Sequence, residues 1–384
     1  MKKGIVFNPS MYRIADFSVK LFQNVFSSST NTLISPTSLL AALAMAQYGA
    51  RGLTQLELET VLGADADQIG DVLSIMYSSE LGIDERIWKY KTVRYANAVW
   101  LCDDGRVQFD ESYLNTCKEK SHAEIIKGAF DDTMVSKIND WAAEKTDGAI
   151  PEVVDSLPAD QVMLLMSALA FNGQWETPYD KSDIIQHPFT TAAGTVQNVD
   201  FMKGEENVYL IDDEARGFVK PYKEGRYAFA ALVPDKGIPL GDYIAQLTGE
   251  RLRTILEKAI KHKVETLLPK FEMEQHLDLR GPLSQMGLTD MFDREYADFS
   301  GIGTPTDPQH RLYIGNVWQN NKIQVNEEGT KAFSITGIDT LCFSCIEPKP
   351  YKVYLDRPFL YMIIDRKTNL PLFMGTITNM KMED

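Results

Sequence analysis

Between positions 12 and 27, Ile14, Phe17, Ser18, Leu21, Phe22 and Val25 fall at helical spacing, which predicts an amphipathic helix. Ser35 then precedes Pro36 and a run, Leu39 to Ala46, that is apolar nearly all round. Ser35 suits an N-cap, Pro36 the first helical position and Gly49 a left-handed stop, so a buried helix is expected here. Leu53, Leu56, Leu58, Val61 and Leu62 predict another, closed by Gly63. Arg94 to Leu101 has the aromatic and β-branched character of a strand. A helix is expected over 134–150, with Val135, Ile138, Trp141 and Ala142 on one face and Gly148 closing it. Val162 to Met166 is apolar at every position, the mark of a strand covered on both faces. Phe359–Ile364 and Leu372–Ile377, parted by polar residues 365–369, predict an antiparallel pair. Helices come first and strands later, without regular alternation. The expected class is α+β, with helices packed on large sheets.

The 384 residues contain no internal repeat, low-complexity block or linker, so one domain over 1–384 is expected. Hydrophobic residues, at 44%, supply ample core. A formal charge of -15 argues against a nucleic-acid partner, because phosphate binding needs clustered Lys and Arg. It favours solubility and would attract a basic partner. Cys102, Cys117, Cys342 and Cys345 are too few to staple a scaffold, and free thiols are expected. Cys342 and Cys345 form a lone C-x-x-C, with no second pair or spaced histidines to complete a zinc site. No G-x-S-x-G elbow, H-E-x-x-H, P-loop or Rossmann glycine pattern occurs. Neither catalysis, nor a cofactor, nor a metal is expected. The apolar run at the N-terminus is too short for a signal h-region, and no stretch is long enough to predict a membrane span.

The most informative segment follows Glu327-Glu328-Gly329. Its even positions, Thr330, Ala332, Ser334, Thr336, Ile338, Thr340 and Cys342, are small or β-branched. Its odd positions, Lys331, Phe333, Ile335, Gly337, Asp339 and Leu341, are bulkier or polar apart from the glycine. A period of two sends alternate residues to opposite faces of a strand. The even set fits a tightly packed interior, and the odd set tolerates an exterior. Yet Gly329 precedes the stretch, Pro348 and Pro350 follow it, and no neighbouring strand is there to pair with it. An ordinary edge strand would carry the same pattern.

Further motifs occur in order along the chain. They are Asn31 to Ser38, Ala96-Asn97, Ile138-Asn139-x-Trp141, Thr146-x-Gly148-x-Ile150 and Phe171-Asn172-Gly173-Gln174-Trp175. Asp298-Phe299-Ser300-Gly301, Glu327-Glu328-Gly329-Thr330 with Ala332, Arg357-Pro358-Phe359 and Phe373-Met374-Gly375 complete the series. Each is short, but together, across some 350 residues, they resemble the serpins, a family of serine protease inhibitors. The resemblance implies about nine helices packed on three β-sheets, with an exposed reactive-centre loop at about 327–350.

What the resemblance implies is a trap rather than a catalyst. A target serine protease cleaves the loop and becomes an acyl-enzyme. The freed arm then inserts as a central strand of the main sheet and drags the covalently held protease with it. Glu327, Glu328, Gly329, Thr330 and Ala332 correspond to the hinge, and Trp175 marks the insertion point. The family hinge usually runs through several alanines; here Phe333 and Ile335 fall on the outward face, and inward Ser334 is small. Beneath the sheet, Ser35, Ser38, Ser167 and Gln319 occupy the sheet-opening cluster, with Gln319 at the usual His position and Ser167 at the usual Asn position. Their joint change suggests a re-paired hydrogen-bond cluster. Counting Thr330 as the first of about 14 loop residues places the bait bond at Phe343–Ser344. The distance from there to Pro358-Phe359 is similar to that in antichymotrypsin. A large apolar Phe343 suits a chymotrypsin-like or subtilisin-like pocket, whereas cleavage at Leu341–Cys342 or Cys342–Phe343 is the alternative, the latter suiting elastase-like enzymes. A non-inhibitory serpin-fold binding or chaperone module is the alternative function. A monomer, secreted or at the cell surface and without membrane or nucleic-acid partners, is expected.

Overall fold

The computed structural model describes residues 9–77, 92–330 and 349–380. Ala332, Phe343, Ser344, Cys342 and Cys345 lie outside the described residues.

The predicted N-terminal helix spans Pro9–Val25 and buries Ile14, Phe17, Ser18, Leu21 and Phe22. The next runs Pro36–Gly49, with Ser35 Oγ accepting from Ser38 N as the N-cap. Gly49 does not end it in the left-handed region as expected; Ala50 follows in extended conformation. The glycine is needed for space, because a Cβ there would sit 2.1 Å from Ile302 Cγ1. Gly63 does close helix Gly52–Leu62 at φ 77°. The expected 134–150 helix is observed at Asp132–Lys145, and Gly148 lies beyond its end at positive φ. Asp131 caps it through Met134 N, which sets its start earlier than the apolar pattern suggested.

The strands form one long ladder and three smaller sheets among the described residues. The nine-stranded sheet holds the core. Its strands Tyr227–Pro234, Phe359–Asp365 and Leu370–Ile377 are buried at every position, and the last two form the predicted antiparallel pair. A three-stranded sheet pairs Ala123–Gly128, Val93–Cys102 and Met163–Phe171. Helix Asp132–Lys145 covers it, with Trp141 edge-on to Trp100 at 6.2 Å. A four-stranded sheet runs Phe271–Asp278, Trp318–Val325, Gly329–Thr330 and Gly173–Gln174. The class is α+β, as expected. Helix Pro36–Gly49 lies behind, reaching both strand Met163–Phe171 and strand Leu370–Ile377. Among the described residues no helix is long and apolar enough to cross a membrane.

Candidate functional site

Strands Met163–Phe171 and Trp318–Val325 face one another, but no ladder joins them among the described residues. Between them lies a cavity of about 1360 Å³, lined by Leu39, Leu43, Leu165, Phe299, Leu312 and Gln319 among others. Met163, Leu164 and Leu165 are therefore only half-buried. This corrects the reading of their apolar run as a strand covered on both faces. On the opposite bank Gln319, Asn321, Ile323 and Val325 are buried and alternate with more exposed neighbours. That bank presents one inward face of period two.

Among the described residues, the two half-sheets are joined by strand pairing only through Gly329–Thr330. Strand Trp318–Val325 turns back at Asn326, whose Oδ1 accepts from Glu328 N at 3.0 Å and Gly329 N at 3.1 Å. The turn brings Thr330 opposite Val325 on one side and Gly173 on the other. Gly329 is required by close approach, since a Cβ would lie 2.1 Å from the Gly173 carbonyl oxygen. Thr330 is 2% exposed, and its hydroxyl meets Tyr222 OH at 2.7 Å. Trp175 holds the turn from the side: its backbone N donates to Glu328 O (3.0 Å) and its Nε1 to Asn326 O (2.8 Å). Tyr179 N donates to Glu327 O at 2.9 Å. The Trp175 ring stacks on Tyr222, with centroids 4.7 Å apart. A Lys270 ammonium 2.7 Å from Glu327 Oε2 holds that carboxyl below its usual range.

The four polar residues beneath the sheet fall into two pairs. Gln319 Oε1 accepts from Ser35 N and Nε2 donates to Ser35 O, at 2.9 and 2.8 Å. Ser38 Oγ donates to the Ser167 carbonyl at 2.9 Å. Gln319 is thus paired with backbone, and no bond crosses the cavity from it to Ser167. The Ser167 hydroxyl is buried with no partner. One helix N-terminus, Ser35 to Ser38, grips both banks of the open cleft.

Sequence reasoning missed Tyr222, Asn326, Lys270 and Lys220. Asn326, just before Glu327-Glu328-Gly329, carries the usual signal of an Asx turn. The other three reach the site from distant parts of the chain and leave no local pattern.

A family model described as serpin (serine protease inhibitor) matches residues 12–380. Plasminogen activator inhibitor 1 of Neovison vison is 29% identical, over 94% of this chain and 91% of its own. Among solved structures, the thermophilic serpin tengpin in its native state is 34% identical, with a TM-score of 0.87 over 99% of this chain and 96% of that one. Tengpin in its latent state gives 0.83 at the same identity, covering 99% and 100%. A relative solved in two states fits a metastable fold. With the family model covering nearly the whole length, the chain belongs to the serpin family of serine protease inhibitors.

Proposed function

We propose that the protein is a suicide inhibitor that traps a chymotrypsin-like or subtilisin-like serine protease as an acyl-enzyme after cleavage at Phe343–Ser344. The observation that carries this reading is the seat of Thr330, which pairs with both banks at the head of an open cleft. Six residues further along both ladders, Thr336 would lie opposite Gln319 and Ser167 together. The same register would set Ala332 and Ser334, the small inward positions, opposite Ile323 and Asn321. Insertion would give the Ser167 hydroxyl a partner and fill the cavity with small side chains. The receiving gap lies between the three- and four-stranded sheets, whereas the longest ladder is the nine-stranded core.

About 14 new ladder bonds at about 1 kcal/mol net each would release on the order of 10 kcal/mol, as much as a typical domain's whole stability. A gain of that size requires the uncleaved fold to be held kinetically. Incubation with chymotrypsin tests the reading. A complex that survives boiling in detergent supports it, with N-terminal sequencing placing the released fragment's start at Ser344. Clean cleavage without a complex would instead make the chain a non-inhibitory module.

A further inference from the structure

Behind the hinge turn, a lysine is buried where the surrounding strand is apolar. Strand Ala215–Pro221 buries Phe218, Val219 and Lys220 in succession, and the Lys220 side chain is 4% exposed. Its ammonium lies 2.7 Å from Glu206 Oε1, itself 7% exposed, and 3.0 Å from the Thr177 carbonyl oxygen. It also sits 4.2 Å from the centre of the Tyr179 ring and 5.3 Å from that of Trp175. Burial drives the lysine down and the glutamate up from their ordinary values, and each charge pulls the other partly back. Such a pair gains little over apolar side chains of the same shape, so its net electrostatic energy does not account for it.

Its contacts do. Apart from Glu206, these partners of the ammonium belong to the segment Trp175–Tyr179. That same segment receives the hinge turn, through Trp175 N, Trp175 Nε1 and Tyr179 N. A point charge with three donors and two aromatic faces around it fixes positions that a leucine would leave free to slide. Tyr179 is confined from the other side, where a Cβ at Gly204 would lie 2.6 Å from its ring.

We infer that Lys220, held by Glu206, is a positioning residue for loop insertion: it fixes the Trp175–Tyr179 platform on which the hinge turn pivots. The inference rests on the inhibitor reading for its functional consequence, though not for its structural one. A fixed platform starts the freed arm in register between the two banks. A loose one delays entry while the acyl bond hydrolyses.

Two measurements on the full chain test it, with Lys220→Met and, in case that variant fails to fold, Glu206→Gln. The first is native-state amide exchange. Exchange at the Trp175 and Tyr179 amides is expected to quicken at least tenfold in Lys220→Met, with strand Phe359–Asp365 unchanged. Glu206→Gln should move the same amides in the same direction. The second is the number of inhibitor molecules cleaved per protease trapped, expected to rise at least threefold. Unchanged exchange at those two amides, or a uniform quickening across the whole molecule, would overturn the assignment. So would an unaltered cleaved-to-trapped ratio in a variant whose wild-type parent forms the complex. Should the wild type trap no protease at all, the inhibitor reading fails, and amide exchange still decides the role of Lys220.

Discussion

Gln319 and Ser35 meet through two hydrogen bonds, the Gln319 amide receiving the Ser35 N–H and donating to the Ser35 carbonyl. Residues far apart in the chain are thereby joined as neighbouring strands would be, although Ser35 stands at a helix start. Asn321 Nδ2 is a second donor to Gln319 Oε1, at 3.0 Å. Replacing Gln319 by leucine leaves the Ser35 N–H buried and unpaired, whereas the Ser35 carbonyl keeps the Leu39 N–H at 3.2 Å. A buried polar group that loses its partner costs about 1–3 kcal/mol, so a loss of that size is expected for Gln319→Leu. Denaturant unfolding measures it. A change below about 0.5 kcal/mol, the usual range of an idle surface position, would show that the amide carries no weight.

Thr330 is the first loop residue seated between the banks, and its fate tests insertion directly. An arginine there would bury an unpaired guanidinium, at several kcal/mol, against Tyr222. Thr330→Arg is expected to turn the inhibitor into a substrate, cleaved by chymotrypsin without a stable complex. Thr330→Val keeps the shape and loses only the hydroxyl contact, so it should still trap. Equal amounts of covalent complex from both variants would rule out insertion as the trapping step.

Cleavage of an ordinary loop frees the chain and leaves stability equal or lower. Here the nicked protein is expected to melt well above the intact one, because the freed arm adds a strand where the cavity now lies. Calorimetry of intact and nicked chains decides between the two signs.

Lys270 lowers the Glu327 carboxyl below its ordinary value, chiefly by hydrogen bonding. A carboxyl depressed in the folded state adds stability that is complete above the unfolded value near pH 4.3. It is lost as pH falls through the folded value. The pair is partly solvated, which limits it to about 1 kcal/mol or less. Glu327→Gln should therefore be less stable than wild type at pH 7 by that margin, and the gap should shrink as pH falls below the unfolded carboxylate value. A gap constant across that window would mean that the ion pair contributes nothing.

Much of the core was legible because its signals are local. The largely apolar runs at Phe359–Ile364 and Leu372–Ile377 give strands buried on both faces, and Ser35-Pro36 gives a helix start in any setting. Gly49 was misread for a complementary reason. Its role is set by Ile302, a contact across the fold, and not by its own φ. The run Val162–Met166 misled in a different way. Its apolar character suits a face awaiting a strand as well as one already covered. Lys220 was invisible because one buried lysine among apolar neighbours reads in sequence as a solvent-facing break.

The bait bond is tested by exchanging its side chain. In a protease complex that residue fills the specificity pocket, so an aromatic ring calls for an apolar slot and a guanidinium for a pocket with a buried carboxylate. Phe343→Arg is therefore expected to move inhibition from chymotrypsin to trypsin, lowering the rate against the former by orders of magnitude. By parity from Thr330, position 343 falls on the outward face of an inserted strand, clear of Gln319 and Ser167. Trapping itself should survive, so a boiling-resistant complex with trypsin should appear. This separates Phe343→Arg from Thr330→Arg, where the same guanidinium enters the sheet and abolishes trapping with any protease. If Phe343→Arg leaves chymotrypsin inhibition unaltered, the cleaved bond lies elsewhere, and fragment sequencing should then find it after Leu341 or Cys342.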